Sequence, residues 1–291
     1  LEGIEICGAM LPAQFKLLDH RGFRVNTYFM GAKERECWRQ GRADFTSVHL
    51  SQVDRWCRET APADVAFLEV STPDEEGYMS FGASGVSLHT YVRQAAKRTI
   101  LQINANVPYV FGEENRIHIS QADAVVCGNT PLMEDPGLAF SDTIQTISSY
   151  IIDQIPDGAC IQLGLGGVSN AVGYGLKGKN DLGAHSELMT DSIMELMKLG
   201  VVNNSRKTWH QGQTVAAFSL GSAELYRFID HNPQMYFMPF PLVNNPVNIA
   251  KNDNMISVNT ALSIDLFGQV NADNFAGRQY SATGGQVDFV R

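Results

Sequence analysis

The chain has 291 residues, 44% of them hydrophobic and 18% charged, with a formal net charge of −9 and a pI near 5.2. That length suits two α/β domains better than one small core, and no run approaches the roughly 18 unbroken apolar residues of a membrane span. The negative balance offers no attractive field to nucleic acid or to an anionic membrane, so any phosphate-bearing ligand must be held by local groups.

In chain order, apolar runs at 64–70, 99–104 and 124–127 alternate with helix-compatible stretches such as 90–97. Continuous apolar runs separated by helices predict buried parallel strands with crossover connections. Between the first two runs, 71–82 carries Pro73, Asp74, Gly77 and Gly82 and reads as a structured loop at a strand end, where open α/β sheets place their sites. Pro131, Pro136 and Gly137 mark a change of texture, and the domain boundary is placed near residue 140, dividing the chain into 1–140 and 141–291. A helix is expected over 141–154, a strand over 159–163, helices over 169–176 and 191–199, and strands near 214–218 and 255–265.

Five cysteines at positions 7, 37, 57, 127 and 160 are widely spaced, without a Cys-x-x-Cys pair, and suggest neither a disulfide framework nor a zinc cluster. A reducing cytoplasm is the expected compartment. Seven histidines show no metal-ligand spacing, so no metal site is expected. The chain starts at Leu1 and stops just after Gly284-Gly285-Gln286, a turn entering a strand or helix, so truncation at both ends is expected.

Three places could carry chemistry. Gly164-Leu165-Gly166-Gly167-Val168-Ser169-Asn170 joins an apolar strand to a helix, a junction that can present backbone N–H groups to an anion. A dinucleotide-binding turn is a rival reading, weakened by Ser169 in the sixth position, and a plain structural turn is another. Glu187, within His185-Ser186-Glu187, taken alone reads as a solvated loop acid. A Ser/His triad is disfavoured because adjacent side chains point apart and no Gly-x-Ser-x-Gly elbow exists. Gly284-Gly285 could present an N–H to a developing oxyanion, or could be a tight turn.

Taken together and in order, Pro73-Asp74, Gly77-Tyr78, Ser80-Phe81-Gly82, Gln162 to Gly167, Ser186-Glu187-Leu188, Lys251 to Ser257 and Gly284 to Phe289 resemble the acetyl-CoA hydrolase/transferase family. The resemblance covers nearly the whole chain and implies two similar open parallel-sheet α/β domains with a site between them. It implies Glu187 as a nucleophile that carries coenzyme A, and Gly285 as an oxyanion-hole glycine. It further implies CoA contacts at Gly164, Leu165, Gly166, Gly167, Val168 and Leu262, and a polar substrate contact at Asn244. CoA is then a substrate and no permanent cofactor is expected; the partners are an acyl-CoA and a short-chain carboxylate. A carboxylate of ordinary pKa is ionised at neutral pH and needs no general base. An acyl-CoA hydrolase, a non-catalytic CoA- or nucleotide-binding module and a nicotinamide-dependent dehydrogenase stay open as alternatives. The sequence fixes neither the acyl group nor the oligomeric state, with which a homodimer is compatible.

Overall fold

Parallel strands dominate the computed structural model, which describes residues 3–11, 15–135, 137 and 139–291. Pro136, one of the boundary residues, lies outside these. In the first half the apolar runs form Val65–Val70, Arg98–Asn104 and Ala124–Gly128, paired in parallel with Arg98–Asn104 in the middle. Ile4–Cys7, Phe23–Thr27 and Ala43–Phe45 form a second parallel sheet, so the described residues of the first half hold two three-stranded parallel sheets. The loop at 71–82 is less free than its composition suggests. Its Tyr78–Ser80 pairs antiparallel with Arg116–His118, and the Asp74 carboxylate accepts from the Glu76 and Tyr78 N–H groups to close the turn.

In the second half Cys160–Leu163 lies between Gly183–Ala184 and Met255–Val258, all parallel. The order continues through a His185–Val215 bridge to Thr214–Ala216 and Met235–Phe237. Every residue of Cys160–Leu163 is buried, as a central parallel strand requires. The strand expected over 255–265 stops at Val258. Its partner ends at Leu163, opposite Val258, and departs through Gly164, so beyond that point no neighbour is left to pair with. Ser263–Ile264 instead pairs with Val270–Asn271 in an antiparallel hairpin whose Leu266 and Phe267 are exposed.

Helices begin where their caps predict. Ser141 accepts the Ile144 N–H at 3.3 Å ahead of Asp142–Gln154, and Thr190 does the same for Ile193 ahead of Asp191–Lys198. Replacing Ser141 with Ala should lower stability by about 1 kcal/mol in a denaturant titration, leaving the slope unchanged. The two largest apolar cores each draw side chains from both sides of position 140: Leu68, Val70 and Leu101 join Ile161, Leu163 and Ile193 in one, and Trp56 joins Val215, Phe240 and Phe289 in the other. No helix among the described residues is long and apolar enough to cross a membrane.

Candidate active site

The carboxyl ends of parallel strands from both halves meet around a cavity of about 550 Å³. Glu69 reaches it from the end of Val65–Val70, Gly164 and Leu165 from the end of Cys160–Leu163, and Glu187 from just beyond Gly183–Ala184. Tyr28, Phe29, Leu50 and Phe240 supply apolar wall. Such crevices form because strands diverge there and their connecting loops leave in different directions.

Glu187 is fixed by its backbone. The chain from Ala184 to Ser186 runs through the buried sheet; Ser186 N–H donates to Val215 O at 3.0 Å, and Glu187 O accepts from Ala217 and Phe218. At Glu187 the strand breaks before resuming as Leu188–Met189, which directs the side chain into the crevice. It is therefore no solvated loop acid. The carboxyl opens on the cavity but is otherwise enclosed by protein, and this desolvation pushes its pKa up to about 7. A hydrogen bond from Asn244 Nδ2 to Oε2, 2.8 Å, works in the opposite direction, and the nearby Asp288 carboxylate adds to the rise. The expectation of a carboxylate of ordinary pKa is thus corrected: enclosure holds the Glu187 carboxyl well above the usual carboxylate range.

Gly285 is packed directly against this carboxyl. A Cβ at that position would lie 1.8 Å from Glu187 Oε2 and 2.2 Å from Asn244 Nδ2, so no residue with a side chain fits without displacing the pair. Asn244 itself is fully buried at the end of the Phe240–Val243 turn of helix, and it contacts Glu187 instead of forming cavity wall. Because its amide favours the ionised carboxyl, Asn244→Ala should raise the Glu187 pKa, moving a 13C-carboxyl titration midpoint from near 7 to higher pH. An unchanged or lower midpoint would show that the amide does not stabilise the anion.

Of the glycine loop, Gly164 and Leu165 line the cavity. Gly166 caps the Gly167–Gly175 helix that Gly167 and Val168 begin, and none of these three lines the cavity. Leu262 is 39% exposed at the base of the hairpin and does not line the cavity; Asn259 and Thr260 do. The 71–82 loop is likewise absent from the lining, whereas Ser84 and Ser87 just beyond it are present. A Ser/His triad is ruled out by geometry. Ser186 Oγ faces the Leu163 backbone at 3.3 Å, and His185 is turned into the core toward Val243 O. Gln286, within the Gly284 to Phe289 motif, also lines the cavity, as do Tyr28, Phe29 and Thr130, which carried no sequence signal because isolated aromatic and polar residues are common in any globular chain.

Comparison with known proteins identifies the family and the fold. Residues 5–134 match the model of the acetyl-CoA hydrolase/transferase N-terminal domain, and 221–291 match that of the C-terminal domain. The chain is 41% identical over 275 residues to 4-hydroxybutyrate coenzyme A transferase of Clostridium kluyveri, covering 93% of this chain and 63% of that protein. It is 33% identical to butyryl-CoA:acetate CoA-transferase of Anaerostipes caccae, covering 100% of this chain and 67% of the relative. The crystal structure of RipA from Yersinia pestis superimposes with a TM-score of 0.92 at 34% identity, covering 100% of this chain and 68% of that one. The chain thus spans somewhat over three fifths of the length of these proteins.

Proposed function

We propose, from the premise that this chain belongs to the acetyl-CoA hydrolase/transferase family, that it is the greater part of an enzyme moving coenzyme A between a short-chain acyl-CoA and a carboxylic acid. The observation that carries the reading is the Glu187 carboxyl at the cavity wall, held by Asn244 and pressed against the backbone of Gly285. Butyryl, acetyl and 4-hydroxybutyryl groups are the acyl candidates, taken from the relatives' names. In this reading the two domains divide near residue 140 and the protein works in the cytoplasm.

A Glu187 carboxylate oxygen attacks the thioester carbonyl, the C–S bond breaks, and an acyl-glutamyl anhydride and CoA thiolate result. The thiolate then attacks the glutamyl carbonyl; the anhydride C–O bond breaks, the first acid leaves as its carboxylate, and a Glu187-CoA thioester remains. An incoming carboxylate repeats the two steps in reverse. No net proton is consumed and one thioester replaces another, so no ATP is required. Desolvation of the carboxyl raises its pKa and strips water from the anion, so the fraction that is ionised attacks as a poorly hydrated nucleophile.

The backbone N–H of Gly285 is assigned to the oxyanion, where one such donor contributes about 3 kcal/mol in acyl-transfer sites. Asn244 orients the attacking carboxylate. Gly164, Leu165, Gly166, Gly167 and Val168 are assigned to CoA, as is Leu262 at the mouth of the hairpin. The apolar wall of Tyr28, Phe29, Leu50 and Phe240 favours transfer over hydrolysis by limiting water at the thioester. Incubation with butyryl-CoA and no acceptor acid should build an adduct on Glu187, found by peptide mass mapping and removed by hydroxylamine. Its formation rate should rise about tenfold per unit up to pH 7 and level off above, because only the ionised form attacks. Turnover without any such adduct would sink the covalent mechanism.

A further inference from the structure

We infer that His185 is the positioning residue of this site: its imidazole ties together the separate segments that carry Glu187, Asn244 and Gly285. The inference rests on the functional reading above, and its test is chosen so that the two can fail separately.

His185 stands two residues before Glu187 in the same buried segment and is fully enclosed. Its Nε2 lies 2.8 Å from the carbonyl oxygen of Val243, the residue immediately before Asn244. Its Nδ1 lies 3.3 Å from the side-chain amide of Asn252. The ring meets Phe289 edge-on at 6.0 Å, and Phe289 N–H donates to Gly285 O at 3.2 Å across one turn of helix. Trp209 covers another side at 5.5 Å. One side chain therefore touches the segments bearing both groups that surround the Glu187 carboxyl.

The protonation state follows from its partners. Burial drives the His185 pKa down to about 3, and Lys207 and His210 face it with charge that opposes protonation, so the ring is neutral wherever the protein works. A carbonyl oxygen can only accept, so Nε2 must carry the hydrogen. Nδ1 is then bare, and Asn252 must offer it an N–H. Asn252 thus selects the tautomer that lets His185 donate to Val243 O. His185 neither touches the cavity nor exchanges a proton; its effect on reaction passes through Asn244 and Gly285. A shift of about 1 Å in such groups costs on the order of a hundredfold in rate.

Two substitutions separate a donor from a packing residue. His185→Gln keeps an N–H near the Nε2 position but packs poorly, whereas His185→Leu packs well and donates nothing. Adduct formation by the full chain should fall about ten- to a hundredfold in His185→Leu, with the KM for acyl-CoA within about twofold, and most of the loss should return in His185→Gln. The second readout is the Glu187 carboxyl midpoint by 13C NMR, which needs no turnover. Asn244, Tyr28 and Asp288 face that carboxyl. Loosening Asn244 removes the contact that favours the anion, so the midpoint should rise in His185→Leu and return in His185→Gln.

If Leu performs as well as Gln in both readouts, the ring is only packing and the inference is overturned. If no variant or wild-type protein forms an adduct yet the midpoints move as stated, the positioning stands and the covalent reading falls. Should either His185 variant fail to fold, Asn252→Leu frees the tautomer while keeping the ring. It should slow adduct formation about three- to tenfold and raise the midpoint; wild-type values in both would overturn the inference.

Discussion

Glu187→Gln is expected to lose the CoA adduct completely and to lower transfer by at least about 10⁴-fold while CoA still binds, because Gln keeps the size and an acceptor oxygen but removes the anion. The same variant should differ from wild type in stability in a pH-dependent way. The folded carboxyl titrates near 7, raised from its ordinary value by enclosure. Between the ordinary value and 7 the native state binds more protons than the unfolded chain, so wild-type stability falls as pH rises through that window and stays lower above it. Gln carries no charge and shows no such fall. Glu187→Gln should therefore unfold at a higher temperature than wild type at pH 8, with the advantage shrinking toward pH 5. An equal advantage at both pH values would mean that Glu187 is not the group paying the desolvation cost. Retained transfer by uncontaminated Gln protein would require a different nucleophile or a direct transfer between the two substrates.

The second large effect belongs to Gly285. Even Ala there places a Cβ 1.8 Å from Glu187 Oε2 and 2.2 Å from Asn244 Nδ2, far inside van der Waals contact, and Val adds two further methyl groups. The carboxyl and the amide must move apart or the Gln286–Val290 helix must shift, and each separates the carboxyl proposed as nucleophile from the backbone N–H proposed for the oxyanion. Gly285→Ala should cost on the order of a hundredfold in adduct formation and Gly285→Val more, with the fold retained. Gly284 offers the control. Its φ of +56° strains any other residue, but a Cβ there would meet only Phe29 Cε2 at 3.5 Å. Gly284→Ala should thus lose about 1–2 kcal/mol of stability with a smaller effect on the chemistry. If Gly285→Ala turns over at the wild-type rate while Gly284→Ala does not, the order of the two glycines is reversed and the assignment fails.

What the sequence by itself determined is what depends on near neighbours along the chain. Apolar runs at 64–70, 99–104, 124–127 and 159–163 all give parallel strands, but only Cys160–Leu163 is buried throughout; Val65–Val70 and Arg98–Asn104 bury one face and leave Phe67 exposed, and Ala124–Gly128 is an exposed edge. Ser141 and Thr190 set helix starts because a hydroxyl three residues ahead satisfies a free backbone N–H. Glycine pairs mark sharp turns, and the ordered motifs carry the family, including Glu187 as the residue of interest. Only the tertiary structure decided how that residue behaves. Its pKa near 7 is the balance of enclosure and Asp288, which raise it, against the Asn244 hydrogen bond, which lowers it, and none of these is a neighbour in sequence. Gly285 matters because chain folding brings its backbone against Oε2, and Leu262 stays outside the cavity at the foot of the hairpin, its N–H donating to Asn271 O, while Asn259 and Thr260 before it line the wall. His185 reads from the sequence as one half of a tempting Ser/His pair, yet folding turns it away to hold Val243. Desolvation, steric exclusion and hydrogen-bond geometry act through space over a few ångströms, and a pattern along the chain does not record which distant segments arrive there.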